Sequence, residues 1–386
     1  MELDKDLNMS FAGCGFMAVY YFGVYCCFLE RANNFIDRAA KISGASSGAL
    51  TSAMIVCRMS PAKCCEHLME IAKEARKGTL GPARPSFNLL KIVRELLNRD
   101  LPENSHLLAS GRLHVSVTRV SDRRNVLISE FESKQDLIQA LVCSCFFPLF
   151  CGVIPPSYQG VRYVDGALSD NLPYSELKNT ITISAFSGES DICPRDGPVY
   201  FQEVYHNNVS IYVNYDNVFC VASGFFPPEP EIMAEICQNG YRDTLCFLLK
   251  NNLIKYSLSA VTLTDMSPTD YEEIKQQTKN TSKRMETQRP LNKQHWPFDD
   301  KTVCLLSEPM KKVFCKASEE FRRQFFVVRL VSFILLPCTL PLEAAYVTAQ
   351  RLGNWISEWL LKLLHWFWEF PHRLCKRTDS KREKAL

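Results

Sequence analysis

Through the first half of the chain, short runs of apolar and β-branched residues alternate with longer segments whose apolar positions recur at helical spacing. That alternation predicts an α/β domain whose sheet is covered by helices on both faces. Leu7 to Phe11 reads as a strand, Phe16 to Arg31 as a helix, Ala40 to Ser43 as a strand and Ser47 to Arg58 as a helix. Helical character continues over Pro61 to Arg76 and Leu89 to Asn98. Leu113 to Val120 and Asn125 to Phe131 then read as strands joined in a hairpin by Ser121-Asp122-Arg123-Arg124. A helix over Lys134 to Cys143, a loop at Pro155-Pro156, and strands over Val161 to Val164 and Thr180 to Ala185 complete the pattern. Beyond Gly188 the alternation weakens, apart from a helix over Glu231 to Asn251 that follows the breakers Pro227, Pro228 and Pro230. From about Ser257 to Asp300 the chain is polar and lacks apolar periodicity, which predicts a flexible connector.

Composition narrows this picture. At 386 residues and 46% hydrophobic, the chain has enough apolar material for one large domain or two. The net charge of +3 comes without a basic run beside stacking aromatics, so nucleic acid is not an expected partner. The 17 cysteines show no C-x-x-C couple and no zinc-ligand spacing, and many, such as Cys26, Cys27, Cys64, Cys65, Cys143 and Cys145, lie in apolar helix-like stretches. Reduced, buried thiols in a cytoplasmic protein are expected rather than a disulfide framework. Glu2, Asp4, Lys5 and Asp6 do not resemble the basic start of a signal peptide. Met9 to Leu29 carries no charge and reaches the roughly 20 residues of a membrane span, yet Gly13-Cys14-Gly15 near its start favours a buried strand, a loop and a buried helix.

Candidate chemistry lies at the junctions. Gly44-Ala45-Ser46-Ser47-Gly48 fits G-x-S-x-G, the nucleophile elbow, and falls where a predicted strand meets a predicted helix. Its flanking residues are small, as so tight a turn requires, although a small-residue packing turn would read the same way. A serine nucleophile needs donors for the developing oxyanion, and Gly13-Cys14-Gly15 supplies a loop of amides before a helix. It also needs a base. Of His67, His106, His114, His206, His295, His365 and His372, none follows a core strand in a loop of small residues, and each reads as a surface or structural group, with His206 left open. Asp165 instead ends the β-run Tyr163-Val164-Asp165 and is followed by Gly166 and Ala167, which presents a carboxylate at a sheet edge; an ordinary Asp-Gly turn is the alternative.

The order of these three motifs resembles that of patatin-like phospholipase domains. Ser10 to Phe16 (SFAGCGF), Pro85 to Asn88 (PSFN), Gly160 to Pro173 (GVRYVDGALSDNLP) and Gly188 to Pro194 (GESDICP) are similar to the animal adipose triglyceride lipase and adiponutrin subfamily. The likeness covers about residues 5 to 250 and returns at Leu336 to Leu342 (LPCTLPL). It implies a Ser-Asp dyad: Ser46 attacks an ester carbonyl, Asp165 takes its proton, amides around Gly13, Cys14 and Gly15 stabilise the oxyanion, and water releases the fatty acid from an acyl-enzyme. No cofactor and no metal are implied. Three positions depart from the family pattern: Ala18, where a third glycine is frequent, Ser47, where close relatives often have alanine, and Ala167, at a position shared between glycine and alanine.

The C-terminal part points to a lipid surface. Leu330 to Leu342 is apolar, broken by Pro337 and Pro341, and shorter than a span. Leu352, Trp355, Ile356, Trp359, Leu360, Leu363, Trp366, Phe367 and Phe370 recur at helical spacing opposite Arg351, Asn354, Glu358, Lys362 and Glu369. Arg373, Lys376, Arg377, Lys381, Arg382 and Lys384 follow. Interfacial tryptophans with a basic tail suit a membrane or droplet surface, and a helix packed on the catalytic domain is the alternative. The expected organisation is a catalytic domain over 5–188, its helical extension over 189–254, a connector over 255–300 and a mainly helical lipid-binding region over 301–386. By resemblance, the substrate is a long-chain lipid ester, with triacylglycerol favoured, at lipid droplets and the endoplasmic reticulum membrane, under the control of a protein coactivator or inhibitor. An acyltransferase or phospholipase using the same dyad, and a weakly active droplet scaffold, are the alternatives.

Overall fold

A computed structural model describes residues 7–77, 81–84, 87–195, 203–254 and 305–322. The chain divides into two compact units, one of Met1–Lys77 with Leu89–Gln324 and one of Gly78–Asn88 with Phe325–Leu386. In the second, the described residues include a single 3₁₀ turn, Gly81–Ala83. The predicted connector, the apolar stretch 330–342, the amphipathic segment 351–370 and the basic tail lie outside the described residues.

The first unit is a mostly parallel sheet flanked by helices, as the alternating pattern predicts. In chain order its elements begin with β1 (Asn8–Phe11), a 3₁₀ turn (Gly15–Ala18), α1 (Val19–Arg31), α2 (Asn33–Arg38), β2 (Lys41–Ala45), α3 (Ser47–Val56) and α4 (Pro61–Ala75). Next come α5 (Leu89–Asp100), α6 (Ser105–Ala109), β3 (Leu113–Arg119), β4 (Asn125–Ile128), α7 (Lys134–Ser144), β5 (Ser157–Tyr158), β6 (Val161–Asp165) and β7 (Thr180–Ile183). A hairpin of β8 (Glu203–His206) and β9 (Val209–Tyr212), then α8 (Tyr215–Phe225) and α9 (Pro230–Lys250), follow. A last helix, α10, runs over 308–322. The strand order is β5-β6-β3-β2-β1-β7, with β4 on the other edge of β3. β7, β1, β2 and β3 run parallel. Their residues are almost all buried, as parallel strands covered on both faces must be.

The uncharged stretch from Met9 to Leu29 is not one helix. Strand, loop and 3₁₀ turn use its first half, and α1, 13 residues and therefore about 20 Å long, is buried from Val19 to Phe28. No described helix is long and apolar enough to cross a membrane. α1 lies directly against α9: a side chain at Gly23 would strike the Cys237 carbonyl, and one at Gly240 the Tyr20 carbonyl. At the edges of this contact, the Tyr20 hydroxyl donates to Asp243 at 2.7 Å and the Tyr241 hydroxyl to Glu30 at 2.8 Å. α10 buries Met310, Phe314 and Ser318 at helical spacing; Ser318 donates to Glu231 at the start of α9 at 2.7 Å, and Lys73 of α4 pairs with Glu320 at 2.6 Å. Every described cysteine is a free thiol.

Candidate active site

Ser46 occupies the single residue between the end of β2 and the first residue of α3. Its backbone, at φ 55° and ψ −128°, is strained for a residue with a side chain, and such strain, about 1–3 kcal/mol, persists only where the surroundings impose it. They do so here by contact: a Cβ at Gly44 would strike the backbone of Gly48, and one at Gly48 the Phe11 carbonyl. The strand end and helix start can be that close only because both residues are glycine. The Ser46 amide donates to Ser144 Oγ at 2.9 Å, and that hydroxyl donates to the Ser116 carbonyl at 2.7 Å, which ties the turn to α7 and β3. The positive end of the α3 dipole lies at Ser46.

Strand register brings Asp165 to this turn. β2 pairs with β3 up to Ala45 opposite Ser116. β4 occupies the other edge of β3, opposite Val115 to Thr118. β6 pairs antiparallel with Val117 to Arg119, so it takes the edge that β2 has just left, with Asp165 opposite Val117. The last residue of one strand and the residue after the other therefore meet, and the Ser46 side chain lies close enough to the Asp165 carboxylate to lower its pKa. Asp165 is 2% exposed and accepts one backbone bond, from the Ala167 amide at 2.9 Å. Burial raises its pKa to about 6, and the nearby Ser46 side chain and the Ala167 amide offset only part of that rise.

Among the described side chains, no histidine bonds to either residue. His67 Nε2 lies 2.7 Å from Asp100 on α5, and His114 Nδ1 lies 3.3 Å from the Arg112 carbonyl with its ring against Tyr174. His106 lies in α6 and His206 ends β8, while His295, His365 and His372 are outside the described residues.

The loop after β1 faces the same turn: a Cβ built on Gly13 would stand 2.9 Å from Ser46 Cβ. The Gly13 amide donates to Asn171 Oδ1 at 2.7 Å and the Cys14 amide to Ser47 Oγ at 3.0 Å. Gly15 has φ 58°, and α8 packs so closely that a side chain there would strike the Gly224 carbonyl. Burial pushes the Cys14 thiol up to about 12, so it stays protonated and is no rival nucleophile. Ser144 belongs to no pattern visible along the chain, and Asn171 falls in the family-like stretch Gly160 to Pro173 with nothing there to name its partner; only the meeting of distant segments shows what each one bonds. Among the described residues, no group of three or more His, Cys, Asp or Glu is placed to hold a metal ion.

Residues 9–178 match the model of the patatin-like phospholipase family. The human patatin-like phospholipase domain-containing protein 2 is 43% identical, over 99% of this chain and 76% of its own. The Mus musculus 1-acylglycerol-3-phosphate O-acyltransferase Pnpla3 is 36% identical over 97% and 90%, and the Mus musculus patatin-like phospholipase domain-containing protein 5 is 35% identical over 93% and 84%. Among solved structures, VipD from Legionella pneumophila aligns with 64% of this chain and 67% of its own at a TM-score of 0.37 and 15% identity, too remote to carry an argument. The chain belongs to the patatin-like phospholipase domain family of lipid hydrolases and acyltransferases, in its animal adiponutrin and adipose triglyceride lipase branch.

Proposed function

We propose that this chain is a serine lipid-ester hydrolase, with triacylglycerol as favoured substrate, acting through a dyad of Ser46 and Asp165. The observation that supports it most is the meeting, set by strand register, of the strained Ser46 with a carboxylate 2% exposed to solvent. A carboxylate with a pKa of about 6 accepts a proton better than an ordinary one and is still ionised at neutral pH, which is what a general base requires. Ser46 Oγ bonds to the ester carbonyl carbon as its proton passes to Asp165, and the alcohol leaves with that proton. Asp165 then takes a proton from water, whose oxygen attacks the acyl-enzyme, and Ser46 Oγ is restored as the fatty acid departs. The hydrophobic and basic C-terminal region brings the enzyme to droplets and the endoplasmic reticulum membrane.

Purified protein assayed on emulsions of triacylglycerol, phospholipid and retinyl ester tests this reading. Ser46→Ala and Asp165→Asn are each expected to lose activity by a factor of about 10³ or more, with triacylglycerol hydrolysed fastest by the unmodified chain; undiminished turnover in both variants would remove the dyad. Transfer to an alcohol is the second reading, supported by the relative named an acyltransferase. Labelled diacylglycerol or lysophospholipid separates the two: label in a larger ester marks transfer, and free fatty acid marks hydrolysis.

A further inference from the structure

An amide carries one hydrogen, so an amide already bonded to a side chain is not free to hold an oxyanion. Of the three amides in the loop after β1, that of Gly13 is engaged by Asn171 Oδ1 at 2.7 Å and that of Cys14 by Ser47 Oγ at 3.0 Å. Among the described residues the Gly15 amide donates to no protein group. Exposure divides the same way, for Cys14 is buried, Gly13 half-buried and Gly15 exposed.

Each engaging side chain travels with one half of the dyad. Ser47 is the first residue of α3, next to Ser46, and Asn171 follows Asp165 on the loop beyond β6. Asn171 is itself fixed: its amide donates to the Asn207 carbonyl at 2.9 Å, and Asn207 Nδ2 donates back to the Ala167 carbonyl at 2.7 Å. The turn of the β8-β9 hairpin therefore braces the segment that carries the base. Ser47 Oγ has a further contact, at 3.5 Å, with Cys14 Sγ. From a third side Gly224 of α8 closes on Gly15 and fixes its left-handed backbone.

We propose that Ser47 and Asn171 are positioning residues that clamp this loop to the nucleophile and to the base respectively, and that the Gly15 amide is the loop donor left for the oxyanion. The inference rests on Ser46 being the nucleophile. It gives the second hydroxyl of the elbow a function and divides the three loop residues into two that anchor and one that acts. The clamps matter because oxyanion stabilisation depends on a donor held in place before charge develops. If either clamp is lost, the Gly15 amide is no longer fixed relative to Ser46 Oγ.

The test uses the full chain, p-nitrophenyl butyrate as a soluble ester, and an alkyl fluorophosphonate. Attack by Ser46 forms an O–P bond and expels fluoride, passing through an anionic phosphoryl oxygen that needs the same donor. The amount of fluorophosphonate taken up counts competent sites, so that kcat per titrated site is independent of any loss of folded protein. Ser47→Ala and Asn171→Leu are each expected to lower kcat and the phosphonylation rate together by about tenfold or more, with KM within about twofold. Ser47→Thr, which keeps the acceptor, is expected to stay within about threefold of the unmodified enzyme. Ser47→Ala with an unchanged or higher rate per titrated site would overturn the inference, as would a loss confined to KM or to melting temperature. Ser46→Ala separates the two levels. If that variant stays active, the underlying dyad fails; if it is inactive while Ser47→Ala and Asn171→Leu turn over normally, the clamps alone fail.

Discussion

Asp165 is under two opposed demands at the residue scale. The proposed base must be ionised at working pH, yet this carboxylate is removed from water, and among the described residues only the Ser46 side chain and the Ala167 amide favour its charge. Ionisation near a pKa of about 6 predicts that kcat/KM on a soluble ester rises as pH increases through about 6 and is level above 7; a profile flat from pH 4 to 8 would show that Asp165 is not the titrating base. The same shift has a consequence for stability. The folded-state value lies above the ordinary 3.8, so the carboxyl contributes its full stability below about 3.8, where both states are protonated, and loses it as pH rises through about 6. At pH 8 the buried charge costs up to about 3 kcal/mol. Asp165→Asn, which keeps an acceptor for the Ala167 amide, is therefore expected to be inactive and to melt several degrees higher than the unmodified chain at pH 8, with the difference shrinking toward pH 4. Thermal melts at the two pH values check it, and a variant that melts lower at pH 8 contradicts it.

The contact between α1 and α9 sets the scale of the element. Two backbones meet there with Gly23 of one helix under Cys237 of the other, and Gly240 under Tyr20. Adding one methyl group forces the helices apart along a face that is buried from Val19 to Phe28. Gly23→Ala is expected to lower stability by about 1–3 kcal/mol, despite alanine's better helix propensity, as measured by urea unfolding; a gain in stability would mean that the helices are not in register at this point. How much the sequence reveals also differs element by element. The parallel strands and α3, α4, α5 and α7 are legible because each is bounded by small or polar residues and buries apolar residues, whereas the five-residue α6 is too short to show a period. α8 and the β8-β9 hairpin are not, since Val204, Tyr205, Val213, Tyr215, Val218 and Phe219 are exposed there, and apolar residues facing solvent erase the periodicity from which elements are read. The elbow and Asp165 carry local signals in their small neighbours. Ser144 carries none and Asn171 is marked only by the family likeness of Gly160 to Pro173, because their partners are fixed by register and not by spacing.

For the whole molecule, the measured rate on an insoluble ester is the turnover of adsorbed enzyme multiplied by the fraction adsorbed. The proposed dyad at the ends of β2 and β6 would determine the first factor, and residues far along the chain are proposed to determine the second. Trp355, Trp359 and Trp366 recur in the C-terminal sequence at a spacing that would suit one face of a helix, and the basic residues from Arg373 to Lys384 follow them. Tryptophan lowers its free energy at the boundary between headgroups and acyl chains, and a loss of about 1.4 kcal/mol of that adsorption energy reduces binding about tenfold. Trp355→Ser, Trp359→Ser and Trp366→Ser combined in the full chain are expected to cut sedimentation with triacylglycerol emulsions, and hydrolysis of them, by about tenfold or more. Hydrolysis of p-nitrophenyl butyrate, which reaches Ser46 from solution, is expected to stay within about twofold. Salt adds a second axis: raising ionic strength weakens adsorption to emulsions carrying anionic phospholipid, through the basic tail, and leaves adsorption to neutral emulsions nearly unchanged. If the three substitutions slow the soluble and emulsified substrates equally, this segment acts on the catalytic unit itself; if they slow neither, the enzyme reaches lipid by another surface.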